Sequence, residues 1–229
     1  MSEFIVDLTE KLNKNVFRTV LYSTIAVNEC EVCQNKGDPS VSPSQFLSLE
    51  WNLTKEQWAE GKVSLHELIT TTWTQSNIQC DCTTCKQRTM QKRLTSMKTS
   101  PESLIFFINR KSTIEHDVAD ARYFEDVFDD GFSYLINLNV TFPKELRMTM
   151  VDETGETEVI YLLKGIIILV LQSRNPAKCH YLCDCLNENN KWIRYDDYLT
   201  KNSDSMNDKQ DFESTTACAF FYKKMISVN

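Results

Sequence analysis

Two Cys-x-x-Cys pairs, Cys30-Glu31-Val32-Cys33 and Cys82-Thr83-Thr84-Cys85, constrain this chain more than any other feature. Each pair is a knuckle that supplies two thiolates, and two knuckles close the four-cysteine shell that tetrahedral zinc asks for. Four unrelated buried thiols are the competing reading. A single such pair is common by chance, however, and two pairs near strand ends are not. Cys80 is a rival ligand, because Cys80-x-Cys82 also has the spacing to grip a metal. A closed shell of four thiolates leaves no position for water, so the Zn2+ would be structural.

The remaining composition narrows the class. At 229 residues the chain is one domain or two small ones, long enough to bury a sizeable core. With 41% hydrophobic and 25% charged residues it has the balance of a soluble globular protein. The net charge of -7 speaks against a nucleic-acid binder that works through phosphate contacts, and suits a basic partner better. Much of the acidic excess lies between Glu115 and Asp130, a run that reads first as a solvated face. The longest apolar run, Gly165 to Leu171, falls far short of the ~20 residues of a membrane helix, so no membrane association is expected. The N-terminus has no basic start followed by an apolar stretch, which gives no signal peptide and a cytoplasmic or nuclear expectation. In that setting the nine cysteines are read for metal or catalysis before disulfides.

Periodicity gives a mostly extended chain. Phe4, Leu8 and Leu12 share one side of a short helix, and Val16 to Val27 reads as a strand. Gln34 to Ser44 is a loop by its Gly, Pro and Ser content, and Phe46 to Leu49 begins the next strand. Ser64-Leu65-His66-Glu67 is a capping box that opens a helix from about Leu65 to Trp73. Leu104 to Ile108, Asn137 to Phe142, Glu158 to Leu163, Gly165 to Gln172, His180 to Leu186, Trp192 to Tyr195 and Ala217 to Tyr222 follow as strands. Two halves result: a cysteine-bearing hairpin region over 1–100 and a strand-rich region over 101–229.

Cys179-His180-Tyr181 and Trp192-Ile193-Arg194-Tyr195-Asp196-Asp197 place a histidine and a carboxylate pair on neighbouring strands. A histidine becomes a useful base when a carboxylate fixes its tautomer and steadies the imidazolium. Under the two-residue period Cys179, Cys183 and Cys185 share one face, with His180 and Asp184 on the other. Cys179 and Cys185 would lie about 20 Å apart at ~3.3 Å per residue, too far to share one metal. All three are read as core cysteines, and none is placed as a nucleophile for His180.

In this order the motifs resemble those of the ubiquitin-specific protease family of cysteine deubiquitinases, over nearly the whole chain. The two Cys-x-x-Cys pairs are similar to the zinc pairs at the tip of that family's fingers. Ser100 to Arg110, Asn139-Val140-Thr141-Phe142-Pro143 and Tyr161 to Ile166 resemble its palm strands. Cys179-His180-Tyr181 is similar to its Gly-His-Tyr, Trp192 to Asp197 to its Trp-x-x-Phe-Asp-Asp, and Ala219 to Tyr222 to its closing strand. The resemblance implies an α+β, papain-like cysteine protease fold, with antiparallel fingers carrying a four-cysteine zinc centre of Cys30, Cys33, Cys82 and Cys85, and an antiparallel palm sheet. It implies His180 as general base, Asp196 as its orienting acid and Asp197 as an adjacent support. The implied activity is thiol-dependent hydrolysis of the bond after the C-terminal glycine of ubiquitin, with ubiquitin or a ubiquitin-like protein as partner.

Two departures qualify it. The family's opening segment, of the type Gly-x-x-Asn-x-Gly-Asn-Thr-Cys-Tyr, carries the nucleophile at a helix N-terminus and has no counterpart here, since Cys30 already belongs to the zinc pattern. The helical thumb is therefore expected to be missing and this chain to be inactive alone, a zinc-stabilised ubiquitin-binding or scaffold protein. Cys179 also stands where the family has glycine, which adds bulk where substrate backbone approaches. A palm without its thumb would expose apolar surface, for which a partner or a dimer is the expected cover.

Overall fold

The computed structural model describes residues 20–44, 46–112, 123–125, 134–152, 154–171, 179–196, 199–202 and 211–225. Along the chain these form β1 (Tyr22–Cys30), β2 (Ser40–Ser44), β3 (Leu47–Leu49), α1 (Lys55–Glu60), β4 (Lys62–Ser64), α2 (Leu65–Trp73), β5 (Thr74–Asp81), β6 (Arg88–Met97), β7 (Ser103–Ile108), β8 (Lys111–Ser112), β9 (Phe124–Glu125) and β10 (Tyr134–Ile136). Then come β11 (Asn139–Pro143), β12 (Glu145–Asp152), β13 (Gly155–Leu171), β14 (Cys179–Leu186), β15 (Trp192–Asp196), β16 (Leu199–Asn202), β17 (Asp211–Ser214) and β18 (Ala217–Lys224). The helix expected at Phe4 to Leu12 and most of the acidic run lie outside the described residues.

Twelve strands join one large, mainly antiparallel sheet, whose main path is β16-β15-β14-β13-β12-β6-β1-β2. The 17-residue β13 is its spine. One edge of β13 pairs with β12 through residues 155–162 and then with β14 through 165–171, while the other edge holds β18. Beyond β18 lie β7 and then β3. The end expected between Leu163 and Gly165 is instead a register shift against β18: the chain bulges there without leaving the sheet.

The finger is the far end of this sheet, with β1 between β2 and β6 and with β5 on the outer side of β6. It meets the rest of the sheet along β12 through one parallel pair, Met97 with Met150. Ser40–Ser44, read from composition as loop, is a strand that pairs with β1 from Ala26–Ser40 to Tyr22–Ser44. Loop-like composition misleads here because β2 is an edge strand, where Pro43 and exposed serines are tolerated for want of an outer partner. Of the strand expected from Val16, residues 16–19 lie outside the described residues, Val20 is helical, and the strand begins at Tyr22.

The helix over Leu65–Trp73 forms where the capping box places it. Ser64 Oγ accepts from Glu67 N at 3.1 Å, and Glu67 Oε2 accepts from Ser64 N at 2.7 Å. Leu65, Leu68 and Ile69 form its buried face. A second capping box, Thr54 with Gln57, starts α1, and Gly61 closes that helix in the left-handed conformation at φ 73°. Sequence reading overlooked α1 because it is short; the Thr-x-x-Gln spacing was its signal. Ser64→Ala removes one side of the α2 box and is expected to lower stability by about 1 kcal/mol in thermal denaturation.

The main core lies between the large sheet, the two helices and the small β17-β11-β4 sheet. Phe142 stacks on Phe212 at 5.5 Å and tilts against Phe220 at 4.7 Å, and Trp192 meets Phe212 edge-on. Arg110 is buried beside this cluster. It donates to the carbonyls of Ala217, Ile136, Leu138 and Ser214, with its guanidinium over the Trp51 ring at 5.2 Å.

Candidate functional site

At the finger tip two tight turns face each other. After Cys33, Gln34 takes a left-handed conformation at φ 58° and its N–H returns to Cys30 O at 2.8 Å. After Cys85, Lys86 does the same at φ 58°, with its N–H on Cys82 O at 3.0 Å. The two knuckles therefore have the same shape, and each curls its backbone N–H groups around its own sulfurs. β1 delivers one knuckle and the β5–β6 hairpin the other, held in line by the Cys30–Gln91 and Asp81–Arg88 pairs.

The four sulfurs of Cys30, Cys33, Cys82 and Cys85 all lie within 4.8 Å of one another. Cys30 and Cys85 are 4.0 Å apart, and Cys33 and Cys82 3.6 Å. Tetrahedral zinc, with Zn–S bonds of about 2.3 Å, sets its sulfurs ~3.8 Å apart, so the cluster fits a zinc ion. The electrostatics agree. The Cys33 backbone N–H and the Thr89 hydroxyl, 3.2 Å from the sulfur, hold the Cys30 thiol down at about 6. The N–H groups of Cys85 and Thr84 lower Cys82. Cys85 moves up to about 11: the Gln87 N–H favours its thiolate, but burial and the neighbouring thiols outweigh it. Crowded thiols that cannot all ionise unaided are suited to a divalent cation. Cys80, the rival ligand, is outside the cluster.

The second group of residues sits at the other end of the sheet. β14 and β15 pair with Asp184 opposite Arg194, which puts Asp196 diagonally across from His180 on the same face. His180 Nε2 and Asp196 Oδ1 are 2.6 Å apart, with both side chains partly exposed. A neutral imidazole that donates from Nε2 carries its lone pair on Nδ1, the protonation state a general base requires. Asp197 lies outside the described residues.

Sequence reading put Asp184 on the face of His180 but gave it no partner. Asp184 is only 1% exposed, and Arg194 grips it with two bonds, Nε to Oδ1 and a terminal nitrogen to Oδ2, both 2.8 Å. The forked pair raises Arg194 further above its ordinary range, first through that hydrogen bond. It also bolts β14 to β15 next to the His180–Asp196 contact. The strand register carried the signal, because only the pairing of 184 with 194 brings the two charges together.

Cys183 and Cys185 lie on the opposite face of β14 from His180, so neither is placed as its nucleophile. The expectation of core cysteines holds less well: both are half-buried, with their sulfurs 3.2 Å apart. The side chain of Cys179 is outside the described residues. No helix among the described residues is long and apolar enough to cross a membrane.

Comparison with known proteins agrees with this arrangement. A search of the curated proteins finds no match. Among solved structures, the chain is similar to the SAGA Ubp8/Sgf11/Sus1/Sgf73 DUB module bound to ubiquitin aldehyde, with a TM-score of 0.67 and 16% identity, covering 98% of this chain and 48% of that one. It is similar to the yeast SAGA DUB module with a mutant Sgf73, at TM-score 0.64 and 17% identity, covering 98% and 49%. A Ubp8 variant of the module bound to monoubiquitin matches at TM-score 0.64 and 16% identity, covering 98% and 47%. At these identities the likeness is one of fold, and the chain spans about half the length of the chains it matches. The profile of the ubiquitin carboxyl-terminal hydrolases matches residues 2–222, nearly the full length, and the paired knuckles and palm strands are arranged as that fold requires, so the chain belongs to the ubiquitin carboxyl-terminal hydrolase family.

Proposed function

We propose that this chain forms the fingers, within residues 1–100, and the palm, within residues 101–229, of a ubiquitin-specific protease, and that it binds ubiquitin between them. The observation that carries this reading is the 2.6 Å contact between His180 Nε2 and Asp196 Oδ1, on strands whose sheet also builds the thiolate centre. Asp196 holds the Nε2 proton, so the Nδ1 lone pair takes the proton of an attacking thiol and later returns it to the leaving lysine amine. Asp196 then steadies the imidazolium. Asp197, the next residue in sequence, is assigned a supporting role, and zinc keeps the fingers in shape with no part in the chemistry.

None of the 229 residues forms the family's cysteine box, and every cysteine of the knuckles is a zinc ligand. His180 and Asp196 cannot replace a missing nucleophile, since loss of one triad member already costs several orders of magnitude. The chain by itself is therefore a ubiquitin binder without hydrolase activity, working in the cytoplasm or nucleus. Phe46, Ile105, Ile167 and Phe221 stay partly exposed on the sheet face away from the main core, which supports a further protein surface packing there.

Incubation with a ubiquitin vinyl-sulfone probe, alongside a binding titration with unmodified ubiquitin, tests the reading. Binding without covalent labelling is the expected result. Labelling would show that one of the nine cysteines acts as nucleophile. Absence of binding at high ubiquitin concentration would remove ubiquitin as the partner.

A further inference from the structure

Cys183 and Cys185 have a geometry that neither the zinc centre nor the His180–Asp196 pair uses. They project from the same face of β14 with sulfurs 3.2 Å apart, both free and both partly open to solvent. Their surroundings make room for them. Cys185 pairs across the sheet with Gly165, where an added Cβ would come within 3.3 Å of the Cys185 sulfur and 3.4 Å of the Asp184 carbonyl oxygen. The glycine thus leaves a hollow that the sulfur fills. On its other flanks the pair meets Ile167 of β13 and Tyr195 and Ile193 of β15.

The two thiols also differ in proton affinity. A hydrogen bond from the Cys183 thiol holds Cys185 down at about 7, against burial and the Asp184 charge. The same contact pushes Cys183 well above its ordinary range. One proton is shared, so at neutral pH the pair presents a nucleophilic thiolate beside a resolving thiol.

We propose that Cys183 and Cys185 form a redox-active dithiol that peroxide converts to a disulfide within β14, and that this closure loosens the His180–Asp196 contact on the other face of the strand. In the first step the Cys185 thiolate attacks one peroxide oxygen: the S–O bond forms, the O–O bond breaks, and the hydroxide released takes a proton to become water. In the second, Cys183 gives up its proton and attacks the sulfenic sulfur, forming the S–S bond and expelling a second water. Two thiols and one hydrogen peroxide thus give one disulfide and two waters, and a dithiol reductant reverses the oxidation.

The coupling follows from strand geometry. Residues two apart in an extended strand repeat every ~6.7 Å, whereas Cα atoms joined by a disulfide usually lie 4.4–6.8 Å apart, with a mode near 5.5–6 Å. Closure therefore puckers β14 at the residue between, which is Asp184. Its buried carboxylate is the one clamped by Arg194, and the Asp184–Arg194 pair fixes the register that sets Asp196 against His180. This second half of the inference rests on the role proposed for His180 and Asp196, whereas the dithiol chemistry stands apart from it.

The test uses the full zinc-loaded chain, treated with stoichiometric hydrogen peroxide at neutral pH, then alkylated, digested and read by mass spectrometry. Cys183 and Cys185 are expected to lose alkylation together, with a peptide lighter by two hydrogens, and to regain it after dithiothreitol, while Cys80 stays alkylated. A Cys183→Ser variant should stop at a Cys185 sulfenic acid that dimedone traps. Independent alkylation of the two thiols, or pairing of either with another cysteine, would overturn the dithiol. Nitrogen-15 NMR of the His180 imidazole reads the coupling in the same samples. The hydrogen-bonded Nε2 signal should shift on oxidation and return on reduction. A disulfide that leaves that signal unmoved refutes the coupling alone. A reduced protein without such a signal refutes both the coupling and the proposed base, and leaves the dithiol standing.

Discussion

Removing zinc with a strong chelator, or replacing Cys82 by serine, unfolds the finger while the palm sheet stays folded. Few hydrophobic contacts are available to hold the tip without metal: its buried side chains are Cys30, Cys82, Thr89 and Gln91, whereas the nearest members of the main core, Tyr22 and Met97, lie at the base. Structural zinc supplies on the order of 10 kcal/mol of apparent binding free energy at neutral pH, more than the stability of many whole domains. Losing it removes the tip's main source of cohesion. The change stays local because β6 meets β12 through the single Met97–Met150 pair. Amide hydrogen exchange checks this: protection should vanish across residues 24–44 and 75–95 and persist across β13, β14 and β18. Uniform loss of protection throughout the sheet would show that finger and palm fold as one unit, and full retention would remove the metal assignment.

Arg110→Ala is expected to cost about 4 kcal/mol or more, a large share of the 5–15 kcal/mol of a typical domain. The guanidinium is 1% exposed, and among the described residues its hydrogen-bond acceptors are four main-chain carbonyls, with no carboxylate. Those carbonyls belong to four places that no single strand connects: β10, the turn before β11, the end of β17 and the start of β18. A hydrogen bond to a charged donor contributes about 1.5–3 kcal/mol, and deleting the donor leaves buried acceptors unpaired. Burial pulls Arg110 down to about 9, so it remains charged at neutral pH and its fork stays fully donating. Arg110→Lys keeps the charge but cannot span four acceptors with one nitrogen, so it should recover only part of the loss. Urea denaturation of the two variants gives the comparison; an alanine variant within about 0.5 kcal/mol of the parent would show that water replaces the guanidinium without penalty.

Much of this architecture was readable along the chain. Three local rules are followed by the structure: the Ser64–Glu67 box begins α2 at Leu65, Pro143 ends β11, and the alternation in 180–186 sets His180 and Asp184 on one face. The two Cys-x-x-Cys knuckles were legible for the same reason, since a knuckle is a local turn, although the spacing left Cys80 and Cys82 as rival ligands. Reading failed where a partner strand decided the outcome. Ser40–Ser44 looks like loop until β1 is beside it, and Lys164 looks like a break until β12 and β14 carry β13 past it on the other edge.

The sequence by itself determined which residue types make up the two candidate sites: the paired cysteine knuckles, and a histidine and carboxylate on short alternating strands. It did so because metal spacing, capping and strand alternation act over a few residues. Only the tertiary structure decided that Cys82 and not Cys80 completes the metal shell, that Arg194 clamps Asp184 beside His180 and Asp196, and that Arg110 is satisfied by four carbonyls. Each of these depends on register and burial between segments far apart in the chain; a one-residue slip of β15 against β14 alone would turn Arg194 away from Asp184 and Asp196 away from His180.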